Sequence, residues 1–240
     1  MLGLSTGAIA ACLIAVYVGA TVQASIGIGV GMIASPVLAF VDPDFIPAAI
    51  LICILPMTFT VAWFDRAHVE RRGVGVALIG RVPGIVLGAY VAASLSDTVL
   101  AVLVAASVLS AVVVSLTTKR FRPSDRSLML AGMASGFTGT TTGVGGPPMA
   151  LTYQHSDAAT MRSTMSAYFS IGSLLSIGAL AIAGEIGPRQ WQLAALLLPA
   201  VGLGVLTSRR FQDRLDPAAI RPAVLVVCTV ASIALLIEAS

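Results

Sequence analysis

The residues of this chain whose types and spacing suit chemistry lie in two glycine-rich segments. They are Gln23-Ala24-Ser25-Ile26-Gly27-Ile28-Gly29-Val30-Gly31 and Thr138-Gly139-Thr140-Thr141-Thr142-Gly143-Val144-Gly145-Gly146-Pro147-Pro148. Neither reads as a regular helix, because glycine costs about 1 kcal/mol and proline about 3 relative to alanine in a helix interior. A helix that restarts after such a break presents free N–H groups and a partial positive charge, which suits an anion. Glycines let those amides approach a ligand with no side chain between. Ser25, Ser35, Thr138, Thr140, Thr141 and Thr142 add hydroxyls. The expected ligand is small, oxygen-rich and anionic. Candidate binding residues are these six together with Gly27, Gly29, Gly31, Gly143, Gly145, Gly146 and Pro147, and the polar Tyr153 and Gln154 that follow.

Arg81 joins the candidates as a fixed positive charge. It lies about nine residues beyond Arg72, roughly 13 Å along a helix and too deep for a loop. Snorkelling back to the interface is the competing reading. Glycines at GxxxG spacing also serve close helix packing in membranes, and that is the reading for Gly80, Gly84, Gly88 and Gly132. A dinucleotide fingerprint is disfavoured, since GxGxG is not GxGxxG and no acid follows about 20 residues on.

The motifs are embedded in apolar sequence. Hydrophobic residues make up 57% of the 240 and charged residues 10%, far from the soluble norm of roughly 45–50% and about 25%. The bilayer is therefore the expected solvent, and a nucleic-acid-binding domain, a disulfide scaffold and a coiled coil are excluded. Cys12, Cys53 and Cys228 stand singly in apolar runs and read as packing residues, with no metal-ligand spacing. The only lysine, Lys119, has no GxxxxGK[ST] around it, so the phosphate cradle of an ATPase is missing. No Ser/His or paired-carboxylate set lies at membrane depth, so no catalytic residue, metal or cofactor is expected. His155 reads as interfacial and His68 as a loop residue.

These motifs must be positioned by membrane helices. Apolar segments fall at about 46–64, 74–95, 98–118, 162–184, 191–207 and 219–237, each roughly long enough to cross, and two longer ones at about 4–41 and 128–154. Arg66, Arg71 and Arg72 share one loop, Lys119, Arg120, Arg122 and Arg126 another, and Arg209, Arg210, Arg214 and Arg221 a third. The positive-inside rule makes these loops cytoplasmic. Arg162 is then cytoplasmic and interfacial. The 4–41 and 128–154 segments leave and return on the same face, and both termini lie outside. Segment 1–122 and segment 123–240 thus each contain one out-and-back broken helical segment plus three crossings, entering from opposite faces. The expected fold is an all-α polytopic membrane protein of two inverted repeats. Pro83/Gly88 recur as Pro199/Gly204, and Gly29-Val30-Gly31 as Gly143-Val144-Gly145, at similar offsets. Paired breaks at matching points of two inverted halves point to a midplane binding site.

Gly27-Ile28-Gly29-Val30-Gly31 with Pro36, and Gly143-Val144-Gly145-Gly146-Pro147-Pro148, resemble the two glycine-rich motifs of the sulfite exporter TauE/SafE family. The resemblance extends over nearly the whole chain, including Arg162 and the Pro83-Gly84 to Gly88 stretch. Val30 interrupts a glycine run that is unbroken in many members, and Pro147-Pro148 stands where many have one later proline. The resemblance implies a transporter in the bacterial inner membrane that exports a small sulfur-containing anion such as sulfite or a sulfonate. An ion-coupled importer and a non-transporting membrane assembly subunit are the alternatives. Expected partners are the anion and lipid, with no nucleic acid; homo-oligomerisation is left open.

Overall fold

The computed structural model describes residues 3–117, 123–154, 156–211 and 217–239. Lys119, Arg120, Arg122, His155 and Arg214 lie outside the described residues. Every regular element is helical: α1 (Thr6–Ile26), α2 (Val30–Val41), α3 (Ala48–Phe64), α4 (Arg71–Ala92), α5 (Asp97–Thr117), α6 (Asp125–Thr142), α7 (Gly146–Tyr153), α8 (Ala158–Ile182), α9 (Pro188–Phe211) and α10 (Pro217–Ala239), with short 3₁₀ turns at Pro43–Phe45 and Arg66–His68. Among the described residues, six stretches are long and apolar enough to cross a bilayer, namely Thr6–Ile26, Pro43–Phe64, Arg71–Ala92, Asp97–Thr117, Ala158–Ile182 and Pro188–Arg210; Thr6–Ile26 belongs to the segment expected to go out and back, and the expected 219–237 crossing is not among them. The chain is a multi-pass helical membrane protein.

Helix starts follow local chemistry. Ser5 caps α1 by accepting from the Ala8 N–H at 3.2 Å, and Glu70 caps α4 by accepting from the Gly73 N–H at 2.7 Å. Ser124 and Ser127 form a reciprocal capping box on α6. Asp157 accepts from the Thr160 N–H at 2.9 Å to start α8, and this bond holds its carboxyl below the usual range. Each cap satisfies a backbone donor that has no intrahelical partner.

Backbone proximity dominates the interior. A Cβ on Gly84 would come within 2.9 Å of the Phe137 nitrogen, and one on Gly132 within 2.9 Å of the Ala77 carbonyl carbon. α4 and α6 therefore touch backbone to backbone. Contacts also join α1 with α9, α3 with α8 and α9, α4 with α8, and α5 with α10. Cys12, Cys53 and Cys228 are buried and unbridged within this packing. Large apolar side chains such as Ile14, Phe59, Val86, Leu116 and Leu203 stay exposed, as a lipid-facing surface requires. Trp63, near the end of α3, and Trp191, near the start of α9, are also exposed, as interfacial anchors are.

Charged contacts gather at the helix ends. Arg162, near the start of α8, is 6% exposed, and its Nε donates to Asp65 Oδ2 at 2.7 Å. Arg72 pairs with Asp125, and Tyr153 donates to Glu70 Oε2 at 2.9 Å. Arg189 pairs with Asp42 and Asp44.

Candidate functional site

α1 stops because Gly27 takes the left-handed conformation (φ 102°) and closes the helix with its N–H on the Gln23 carbonyl. Gly143 ends α6 in the same way (φ 75°), with its N–H on the Gly139 carbonyl. A side chain at either position would be strained, so these glycines are what stop the helices. α2 restarts at Val30, whose N–H donates to Gln23 Oε1 at 3.0 Å. The N–H groups of Gly31 and Met32 precede the first intrahelical bond of α2. α7 restarts at Gly146, with Pro147 and Pro148 in a first turn that needs no donors there.

The two breaks abut each other. A Cβ on Gly31 would lie 3.2 Å from Val144 Cα, and one on Gly146 would lie 3.4 Å from Ile28 Cβ. Between them is a cavity of about 20 Å³ bordered by glycines of both breaks and Arg81, with Gln23 and Ser173 adding polar groups and Met32, Leu51, Ile54 and Phe169 apolar ones.

Arg81 supplies the charge. It is 1% exposed and its Nη1 donates to Ser135 Oγ at 3.1 Å. Ser135 Oγ in turn donates to the Gly145 carbonyl at 2.6 Å, coupling the arginine to the second break. The guanidinium lies over Tyr168 and Phe169, 4.8 and 5.7 Å from the ring centroids. Its Nε has no hydrogen-bond partner among the described residues, and none of the ion pairs there involves Arg81. Gly172 makes the room, since a Cβ there would come within 2.6 Å of Arg81 Cζ. Ser35 Oγ and Ser173 Oγ, both fully buried, also lack partners among the described residues. A Cβ on Gly143 would lie 3.0 Å from Ser35 Oγ. An unneutralised buried cation beside unpaired donors is unfavourable unless an anion joins it.

Other expected site residues lie elsewhere. Gly27 faces α8, where its Cβ would meet Arg162 Cα at 3.0 Å. Ser25 donates to the Thr21 carbonyl and contacts Ser208. Thr140 pairs with Ser176, Thr141 donates to the Gly88 and Phe137 carbonyls, Thr142 to that of Thr138, and Thr138 to that of Ala134. Pro147 and Gln154 border a second cavity, and Tyr153 is engaged by Glu70.

Gln23, Phe169 and Ser173 border this cavity and Ser135 and Gly172 adjoin Arg81, though none of the five was among the expected binding residues. A usable signal existed in α8: Ser163, Ser166, Ser170, Ser173 and Ser176 recur at spacings of three and four, and all five are buried. Such a stripe in an apolar helix marks the face turned away from lipid. Gln23 stands at the head of the first glycine-rich segment and bonds within it, whereas Ser135 meets Arg81 only through the fold.

The protein described as "Probable sulfite/organosulfonate exporter TauE" from Cupriavidus necator is 26% identical over 215 residues, covering 85% of this chain and 84% of that one. No solved structure matches. The model of the family described as "Sulfite exporter TauE/SafE" matches residues 11–235, and the chain belongs to that family of membrane transporters.

Proposed function

We propose that this protein exports a small sulfur-containing anion, sulfite, a sulfonate or a relative, through a site formed by the two glycine-rich breaks with Arg81 as counter-charge. The observation that carries this reading is the buried guanidinium of Arg81, whose Nε has no partner beside a cavity walled by both breaks. The cavity holds about one water-sized group, so the loaded site is a widened one in which the helix ends separate.

The inverted-repeat reading, with segment 1–122 opposed to segment 123–240, is supported by reciprocal packing. α1 on α9 corresponds to α6 on α4, α3 on α9 corresponds to α8 on α4, and the α3/α8 and α5/α10 pairs are their own counterparts. Prolines interrupt both α4 (Pro83) and α9 (Pro199). Arg81 lies ten residues after the start of α4 and Ser135 ten after the start of α6, about 15 Å into each helix and so near the middle of a bilayer core. In this reading the Asp65, Arg72, Asp125 and Arg162 end is cytoplasmic, both termini are outside, and the membrane is the inner membrane of a bacterium. None of the residues bordering the Arg81 cavity is a carboxylate that could carry a coupling proton. The membrane potential alone drives an anion outward by about 2.3 kcal/mol per charge per 100 mV.

Flux of sulfite and of small sulfonates from proteoliposomes tests the reading. Saturable flux that is lost in Arg81→Gln and Gly145→Leu is expected. Unchanged flux in both variants overturns the site.

A further inference from the structure

Gly29 and Met32 border the Arg81 cavity and also a second cavity of about 360 Å³. That volume falls in the range of small-molecule pockets, about 300–1,000 Å³. Its wall comes from α1, α2, α5, α7, α8 and α10, including Val22, Met32, Val114, Leu151, Met161 and Leu225. Among the described bordering residues none is charged, and Ser115 and Gln154 carry the polar side chains. The Gln154 amide nitrogen is buried without a partner among the described residues. The cavity reaches towards the Arg162 end of the molecule, since Met161 and Gln154 border it.

A bare inorganic oxyanion gains little from such a wall, because it would give up water and meet almost no donors. A carbon chain gains from it in proportion to the apolar area it buries. The small cavity that holds the Arg81 charge and the larger apolar cavity beyond Met32 together have the form of a head-and-tail site.

We propose that the larger cavity receives the carbon substituent of the transported anion, with the acid group against Arg81 and an apolar chain running past Met32. The preferred substrate is then an organic sulfonate with an apolar chain, in preference to sulfite or the shortest sulfonates. This rests on the anion site proposed above and specifies the occupant of the space next to it.

Titration of the full chain in lipid nanodiscs with methane-, butane- and hexanesulfonate tests the proposal. Affinity is expected to rise by about threefold to fourfold per added methylene. Ala150→Phe, which fills the cavity from α7, is expected to remove that rise while methanesulfonate binds as before. Ala111→Phe, filling it from α5, serves as the second variant should the first fail to fold. If butane- and hexanesulfonate bind no tighter than methanesulfonate, the cavity is a water passage and the inference fails while the anion site stands. A rise that survives in the filled variants reports partition into the bilayer and also overturns it. If Arg81→Gln leaves binding of all three unchanged, the anion site itself is wrong.

Discussion

Arg81 and Ser135 are joined across the α4/α6 interface: the guanidinium Nη1 donates to Ser135 Oγ at 3.1 Å, and that hydroxyl donates onward to the Gly145 carbonyl at 2.6 Å. A charge on one helix is thereby tied to the backbone of the second glycine-rich break. Any movement of the break that admits a ligand acts on the arginine through this hydroxyl.

Replacing Arg81 by Gln should weaken anion binding by about 10- to 100-fold, the worth of charge-assisted hydrogen bonds in a buried site. The ligand-free protein should melt at a higher temperature, because an unneutralised buried charge has been removed. Flux assays and thermal unfolding with and without sulfite check both directions. A purely structural arginine would give the opposite melting shift.

Ser135→Ala removes the donor to the Gly145 carbonyl and one acceptor of Arg81. A stability loss of about 1–3 kcal/mol is expected from the unsatisfied partners. Transport should fall by roughly tenfold, equivalent to about 1.4 kcal/mol at the site. Ser135→Thr, which keeps the hydroxyl, should restore most of the flux.

Gly172→Ala tests the room made for the guanidinium. Its Cβ would come within 2.6 Å of Arg81 Cζ, so the arginine must move and flux should fall nearly as far as in Arg81→Gln. Gly178→Ala, on the same helix with nothing within 4 Å of the added carbon, should be neutral or stabilising by up to about 1 kcal/mol.

The ion pairs Arg162–Asp65 and Arg72–Asp125 should differ in weight. Asp65→Asn removes a partner of Arg162, whose side chain is 7% exposed, and a loss of about 1–3 kcal/mol is expected. Asp125→Asn breaks a pair whose side chains are 77% and 56% exposed, worth about 0–1 kcal/mol. Thermal unfolding of the two variants side by side decides this. Equal shifts would remove the distinction.

Orientation is open to thiol labelling. Cys12, Cys53 and Cys228 are buried, so exposed cysteines introduced at Asp97 and Ser156 report alone. An impermeant maleimide applied from outside should label Asp97→Cys and spare Ser156→Cys until the membrane is opened. Labelling of both from outside would overturn the inverted topology.

The sequence by itself determined the solvent, the helical class and five of the expected crossings; among the described residues the sixth apolar span is Thr6–Ile26, which the sequence placed in an out-and-back segment, and not 219–237. Apolar length and clustered arginines are local properties, and a bilayer leaves a backbone few ways to satisfy its hydrogen bonds. It also marked where α1 and α6 stop, since Gly27 and Gly143 adopt a backbone conformation that depends on residue type more than on neighbours. Only the tertiary structure decided which candidates surround one cavity. Ser25, Thr140 and Thr141 have the right chemistry for an anion, yet their hydroxyls are taken by Ser208, Ser176 and the Gly88 carbonyl. Gly172 stands about 90 residues from Arg81 and meets it only because α8 packs on α4, which also brings Ser173 to the same cavity. The charge on Arg81 was legible, but the missing partner of its Nε was not. A polar atom becomes unpaired only when the surrounding helices close over it and exclude water.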